Sequence, residues 1–180
     1  MMSDVKQHSP YRYGADQGFF FGIYLSAMFL CSVLGVRYPV LNLLFVGLFA
    51  AVPFLLYRWL RRAYVEVRGT LTLSALWLQG IVIFMCGMMI AAVVSLLYFR
   101  FIEPDFIIGR LYDIMEIYES SPVPELQEMA VILGRMIEQK AVPSVGSIVM
   151  EMVWLGVFTG SILSLIIGLI VRARKIVTVK

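Results

Sequence analysis

The sequence predicts an all-α membrane protein, a four-helix transmembrane bundle with a two-helix amphipathic extracytoplasmic insertion between the third and fourth spanning helices. Hydrophobic residues make up 61% of the 180 residues and charged residues only 15%, against about 45 to 50% and about 25% in soluble domains. Four long apolar stretches run along the chain, and a polar stretch separates the last two. This composition excludes a water-soluble monomer and predicts a single integral membrane domain over residues 1–180.

The four apolar stretches have the length of membrane spans. A spanning helix needs about 20 apolar residues, because the hydrocarbon core is about 30 Å thick and each helical residue rises about 1.5 Å. The predicted spans are residues 18–36, 40–57, 71–99 and 148–171. The first is too long for the apolar region of a signal peptide and lacks a cleavage site, so we expect it to be retained. The third is uncharged over 29 residues and should tilt or project beyond the bilayer.

The distribution of Lys and Arg predicts the orientation, because basic residues resist transfer across the membrane. With four spans, both termini and the loop after the second span share one side. That side holds ten of the fifteen basic residues and three acidic ones, a balance of +7, whereas the opposite side has a balance of −4. We therefore expect both termini in the cytoplasm. Positive-inside topology and anionic lipid explain the basic excess without a nucleic acid partner.

The insertion, residues 102–147, has two segments with helical periodicity. Pro104 is expected at the first position of one helix that ends near Glu119, and a second apolar stripe runs from Leu126 to Ile137. Each helix would have one apolar face that needs cover. These faces could pack on each other, on the bilayer, on the ends of the spanning helices, or on a partner protein.

Small residues recur at every fourth position in three spans, which lets helix backbones approach closely in lipid. The repeats are Gly156, Gly160, Ser164 and Gly168 in the fourth span, Gly14, Gly18, Gly22 and Ser26 at the first, and Gly87, Ala91 and Ser95 in the third. The pattern favours packing within the bundle. The alternative is an interface with a second copy or another subunit.

Gln79 is the clearest polar residue well inside a predicted span, with Asn42 nearer an end. A buried amide in hydrocarbon needs a partner, so Gln79 is expected to join neighbouring helices or bind water. Glu151 lies near the outer end of the fourth span, where it would either reach the headgroups or pair with Arg100.

Basic and aromatic residues follow the second span. Arginine suits phosphate oxygens and aromatic rings suit the headgroup layer. Candidate ligands of a lipid phosphate are Arg58, Arg61, Arg62 and Arg68. Topology by itself predicts nearly the same residues.

Residue patterns typical of catalysis are absent from the sequence. His8 is the only histidine, and Cys31 and Cys86 both lie in predicted spans as small packing residues. No phosphate-binding GxxxxGK[ST] motif occurs. We therefore expect no enzymatic activity, no catalytic residue, no bound metal and no cofactor.

The stretch after the third span consists of Phe101, Ile102, Glu103, Pro104, Asp105 and Phe106, preceded by Tyr98, Phe99 and Arg100. It resembles the corresponding stretch in a family of small four-span bacterial inner-membrane proteins of unknown function. Glu103 stands where Asp is more typical. The order of spans, basic turn, outer segment and basic tail also matches. The resemblance implies a bacterial inner-membrane location and four spans, and implies no catalytic residues.

These features favour a non-catalytic accessory or scaffold subunit of a bacterial inner-membrane assembly. Its expected partners are membrane lipid and either another membrane protein or further copies of the chain. An alternative is a lipid-handling protein that binds or presents a phospholipid or lipid-linked phosphate through the arginine cluster. A third possibility is transport of a small solute.

Overall fold

The computed structural model describes residues 10–139 and 141–174. His8, Lys6, Lys140, Lys175 and Lys180 lie outside the described residues. The helices of the described chain are α1 (Pro10–Leu34), α2 (Val40–Glu66), α3 (Leu73–Phe101), α4 (Phe106–Glu119), α5 (Pro124–Glu138) and α6 (Val145–Ala173). Four of them, α1, α2, α3 and α6, are long and apolar enough to cross a membrane. The predicted all-α class with four long apolar helices is confirmed.

The chain divides into two compact units. The bundle unit is Met1–Ala92 with Met152–Lys180, and the hairpin unit is Val93–Glu151. Accordingly, α1, α2, most of α3 and most of α6 form the bundle unit. The end of α3, both short helices and the first turns of α6 form the hairpin unit. Each unit is described by itself.

Helix α2 continues nine residues beyond its predicted end at position 57 and ends at Glu66. Its termination has a local cause, since Arg68 and Gly69 have φ values of 53° and 79°. The Gly69 N–H donates to the carbonyl oxygen of Tyr64 at 2.9 Å, which is the hydrogen bond that closes a helix with a left-handed residue after its last turn. The extension places Arg58, Arg61 and Arg62 on the helix.

Helix α3 lies at the centre of the bundle unit. Its residues Leu76 and Ile83 have no exposed surface. The ring of Phe21 from α1 packs edge-on against Phe84 of α3, with ring centroids 4.9 Å apart, and also against Trp59 of α2 at 5.9 Å. Three helices thus meet at one aromatic ring.

The small residues of α6 lie against α3 within the same chain. A Cβ atom added to Gly160 would overlap the ring of Phe84, and one added to Gly156 would overlap Met88. Ser164 faces Gly80, where an added Cβ would overlap its hydroxyl. The positions on α6 rise as those on α3 fall, so the two helices are antiparallel.

The small residues of α1 lie against a different side of α3. Gly14 faces Val82, Gly18 faces Cys86 and Gly22 faces Ile90. Both sets of positions rise in steps of four, so α1 and α3 run parallel. A Cβ on Gly18 would come within 2.6 Å of the Cys86 Cβ, which is too close for any side chain. Cys86 is therefore a packing residue in this contact.

The hairpin unit contains α4 and α5, which pack on each other. Ala130 of α5 is 1% exposed, and a Cβ on Gly134 would lie 3.5 Å from the sulfur of Met115 on α4. Each of the two helices therefore covers part of the apolar face of the other.

The expected start of the first short helix at Pro104 is wrong. Helix α4 begins at Phe106, after a turn in which the Phe106 N–H donates to the carbonyl oxygen of Glu103 at 3.2 Å. Pro104 lies inside this turn. Pro124 does occupy the start of α5, where the missing N–H of proline costs no helical hydrogen bond.

Replacing Gly160 with Ile should destabilise the bundle, because the new side chain must displace Phe84 of α3. The expected loss is about 1 to 3 kcal/mol, as for other overpacked cores. The measurement is the temperature at which the protein loses its monodisperse peak in mild detergent. Gly47→Ile is the matched control, since nothing lies within 4 Å of a Cβ at Gly47. Equal midpoints for the two variants would contradict the packing described here.

Candidate functional site

The arginine-rich end of the bundle unit is the strongest concentration of charge in the predicted spans and their flanks. The last turns of α2 with the following turn carry Arg58, Arg61, Arg62 and Arg68, and the only acidic residue among them is Glu66. The end of α6 adds Arg172 and Arg174.

Arg61 binds the end of α6. One of its terminal nitrogens donates to the carbonyl oxygens of Val171 at 3.0 Å and Arg174 at 2.9 Å. The last carbonyls of a helix have no partner within the helix and carry its negative dipole end. Arg61 therefore caps α6 and connects it to α2.

Arg174 makes the return contact with α2. Its guanidinium lies 5.6 Å from the centre of the Tyr57 ring and donates to the Tyr57 hydroxyl at 3.2 Å. A cation over an aromatic face gains about 0.5 to 1 kcal/mol at exposed sites. Two arginines from different helices thus hold the same helix ends together.

The remaining arginines of the predicted phosphate cluster are less engaged. Arg62 pairs with Glu66 at 3.2 Å within one exposed turn, a type of pair that contributes little to stability. Arg58 is exposed, and it lines an open groove of about 480 Å³ along α2 with Tyr57 and Val65. Arg68 is exposed in the turn after α2. Arg61 and Arg62 line the same groove, and Arg61 is the member of the cluster that also binds the end of α6.

Gln79 lies fully buried between α3 and α1. Its side-chain nitrogen donates to the side-chain oxygen of Gln17 at 3.0 Å. The side-chain oxygen of Gln79 has no hydrogen-bond partner among residues 10–139 and 141–174. The structure thus brings Gln79 to a neighbouring helix, with one of its two polar atoms paired.

The buried serines of the small-residue repeats bond within their own helices. Ser164 donates to the carbonyl oxygen of Gly160 at 2.6 Å, and Ser26 donates to that of Gly22 at 2.7 Å. Because its hydroxyl is satisfied locally, Ser164 contacts Gly80 of α3 as a small residue. Gly87 and Ala91 lie on α3 itself, where Gly87 faces Phe21 and Ala91 is 8% exposed.

Glu151 is exposed on α6. The ion pairs of the described chain are Arg62 with Glu66 and Arg110 with Asp113, so the alternative pairing of Glu151 with Arg100 is not formed. Both residues lie in the hairpin unit.

The residues from Tyr98 to Phe106 form a compact turn between α3 and α4. The Tyr98 hydroxyl donates to a carboxylate oxygen of Glu103 at 2.9 Å, and the Glu103 N–H donates to the Tyr98 carbonyl oxygen at 3.2 Å. The rings of Phe99 and Phe106 have centroids 5.6 Å apart. The carboxylate and the aromatic residues of this stretch therefore shape the turn.

Residues 17–173 match the family model described as "Protein of unknown function (DUF4199)". The chain belongs to the DUF4199 family. The match runs from within α1 to the last residue of α6 and includes both short helices, so it covers both units. The resemblance to a four-span membrane family of unknown function is thereby confirmed. Among curated proteins and among solved structures, none matches this DUF4199 chain.

Arg61→Gln should loosen the end of α6 in this DUF4199 protein, because two carbonyls lose a charged donor. Hydrogen bonds to charged groups contribute about 1.5 to 3 kcal/mol. Hydrogen exchange measured by mass spectrometry should rise in peptides that cover residues 165–174. Arg58→Gln is the control, because surface substitutions usually change stability by less than about 0.5 kcal/mol. Unchanged exchange in Arg61→Gln would show that the cap contributes nothing.

Proposed function

We propose that this chain is a non-catalytic accessory or scaffold subunit of a bacterial inner-membrane assembly, with both termini in the cytoplasm. The observation that carries the proposal is an apolar surface on the hairpin unit. Packing of α4 on α5 leaves this surface exposed.

The hairpin face consists of five residues that stay exposed: Ile114, Ile117, Met129, Ile132 and Met136. Ile117 is 64% exposed and Ile132 is 56% exposed. On each helix these residues are spaced by three or four positions, so they lie on one side of it. The connection over residues 120–123 makes α4 and α5 antiparallel neighbours, and their opposite rotation then brings both stripes to the same side of the pair.

The opposite side of the hairpin is mixed in character. It has a groove of about 360 Å³ whose lining combines Glu119, Arg135 and Glu138 with apolar residues such as Val131 and Ile137. At 14 and 15 residues, α4 and α5 are too short to span a bilayer. Apolar residues spaced by three or four positions on one helix face are the pattern by which a helix binds an apolar surface of a partner.

The packing of the spanning helices also favours the hairpin face as the partner surface, because another candidate surface is already occupied. The small residues of α6, which could have formed a subunit interface, already contact α3, so a partner helix could bind there only by displacing α3. The hairpin face has no such occupant among the described residues. A partner membrane protein with a matching apolar surface is therefore expected at the hairpin face.

The partner interaction can be tested by purification in mild detergent. The parent chain should retain a stoichiometric partner, and the double variant Ile117→Glu, Ile132→Glu should lose it, because two charges are placed inside the contact. Val131→Glu is the matched control, since Val131 is exposed on the other side of α5. A chain that purifies without a partner, or a partner retained by the double variant, would contradict the proposal.

The orientation can be tested with an impermeant thiol reagent on intact spheroplasts. A cysteine at Glu125 should react from outside, and one at Arg62 should react only after the cells are opened, because the Arg62 side has the basic excess. The parent chain provides the background from Cys31 and Cys86. The reverse labelling pattern would overturn the orientation.

A further inference from the structure

A groove in the hairpin unit lies between the end of α3 and the start of α6. Its volume is about 730 Å³, and its apolar lining includes Leu96, Phe99, Phe101 and Val145. Arg100 is the one charged residue of the lining. The groove is distinct from the hairpin face and from the arginine-rich end of the bundle unit.

The guanidinium of Arg100 has N–H donors available for a ligand. It is exposed, and among residues 10–139 and 141–174 it forms no ion pair. The nearby carboxylate of Glu103 accepts the hydrogen bond of Tyr98 instead. Because a guanidinium has five N–H donors in a planar fork that matches phosphate oxygens, this group is suited to an anion.

The depth of the groove in the membrane favours a lipid. Helix α3 has 29 residues, about 43 Å at about 1.5 Å per residue, and the hydrocarbon core is about 30 Å thick. When α3 is centred on the bilayer, its last turn, which contains Arg100, reaches the headgroup layer. Leu96 is one turn deeper, at the level of the acyl chains.

We propose that this groove binds one phospholipid, with an acyl chain against Leu96, Phe99 and Val145 and the phosphodiester on Arg100. A bare phosphate would leave the apolar lining uncovered, and a lipid without phosphate would leave the guanidinium unused. The turn between α3 and α4 contributes Phe101 and Pro104 to the lining. The proposal gives the Phe-Ile-Glu-Pro-Asp-Phe stretch a role as one wall of a lipid site.

Native mass spectrometry of the full chain tests the site. The delipidated protein in detergent is titrated with dioleoyl phosphatidylglycerol, with dioleoylglycerol, which lacks phosphate, and with glycerol 3-phosphate, which lacks acyl chains. Phosphatidylglycerol should bind one to one. Dioleoylglycerol should bind at least about tenfold more weakly, because it loses a hydrogen bond to a charged group, and glycerol 3-phosphate should also bind at least about tenfold more weakly, because it buries no acyl chain. Equal binding of dioleoylglycerol would overturn the phosphate contact, and equal binding of glycerol 3-phosphate would overturn the lipid.

Substitutions of Arg100 test whether the lipid binds in this groove. Arg100→Gln should weaken the binding of phosphatidylglycerol about tenfold or more and leave the binding of dioleoylglycerol unchanged. Arg100→Lys should retain part of the affinity for phosphatidylglycerol, because the charge remains. Arg110→Gln is the control, since Arg110 already pairs with Asp113 at 3.0 Å. Equal affinity in Arg100→Gln and the parent chain would refute the proposal.

A second variant tests the apolar part without touching Arg100. Gly146 lines the groove, and an added Cβ there meets only the Ser144 hydroxyl at 3.9 Å, so Gly146→Leu should fold and partly fill the groove. This variant should weaken the binding of phosphatidylglycerol and of dioleoylglycerol by the same factor, whereas Gly47→Leu should change neither affinity. If an acidic peptide such as hexaglutamate displaces the lipid from the parent chain but not from Arg100→Gln, the site belongs to a protein segment and the lipid assignment fails.

Discussion

The close approach of α1 and α6 to α3 is the constraint on which the bundle unit depends. Lipid tails are as apolar as leucine side chains, so spanning helices gain little from burying ordinary apolar residues and must gain from close contact. Gly18 against Cys86 and Gly160 against Phe84 are two such contacts. A larger residue at either glycine would overlap the facing side chain on α3 and weaken the dispersion contacts around it.

Helix ends supply the second set of interactions. Along a span, backbone groups are satisfied by the helix itself, but the last carbonyls are not. Arg61 of α2 satisfies two of them on α6, and Arg174 returns to Tyr57. The basic cluster expected from the positive-inside rule thus also joins two helices. Arg61 uses one terminal nitrogen for the end of α6, and it also lines the groove along α2 with Arg58 and Arg62.

We assign partners to two surfaces of the hairpin unit. The hairpin face presents exposed isoleucine and methionine side chains outside the spanning helices, and the groove beside Arg100 combines an apolar lining with one guanidinium. Their chemistry differs, because the first has no charge to satisfy and the second has one. A protein subunit suits the hairpin face, and a phospholipid suits the groove.

Sequence by itself determined the four long apolar helices, the two short ones and the spacing of small residues, because these depend on local composition and on the helical period. It failed at Pro104, where a turn held by Tyr98 and Glu103 delays α4 to Phe106, and the start of α5 at Pro124 comes from the structure. Only the tertiary structure decided that the small residues face α3 and that Arg61 caps α6. Those contacts join residues up to 113 positions apart, and no periodicity within a helix specifies which helix lies beside it.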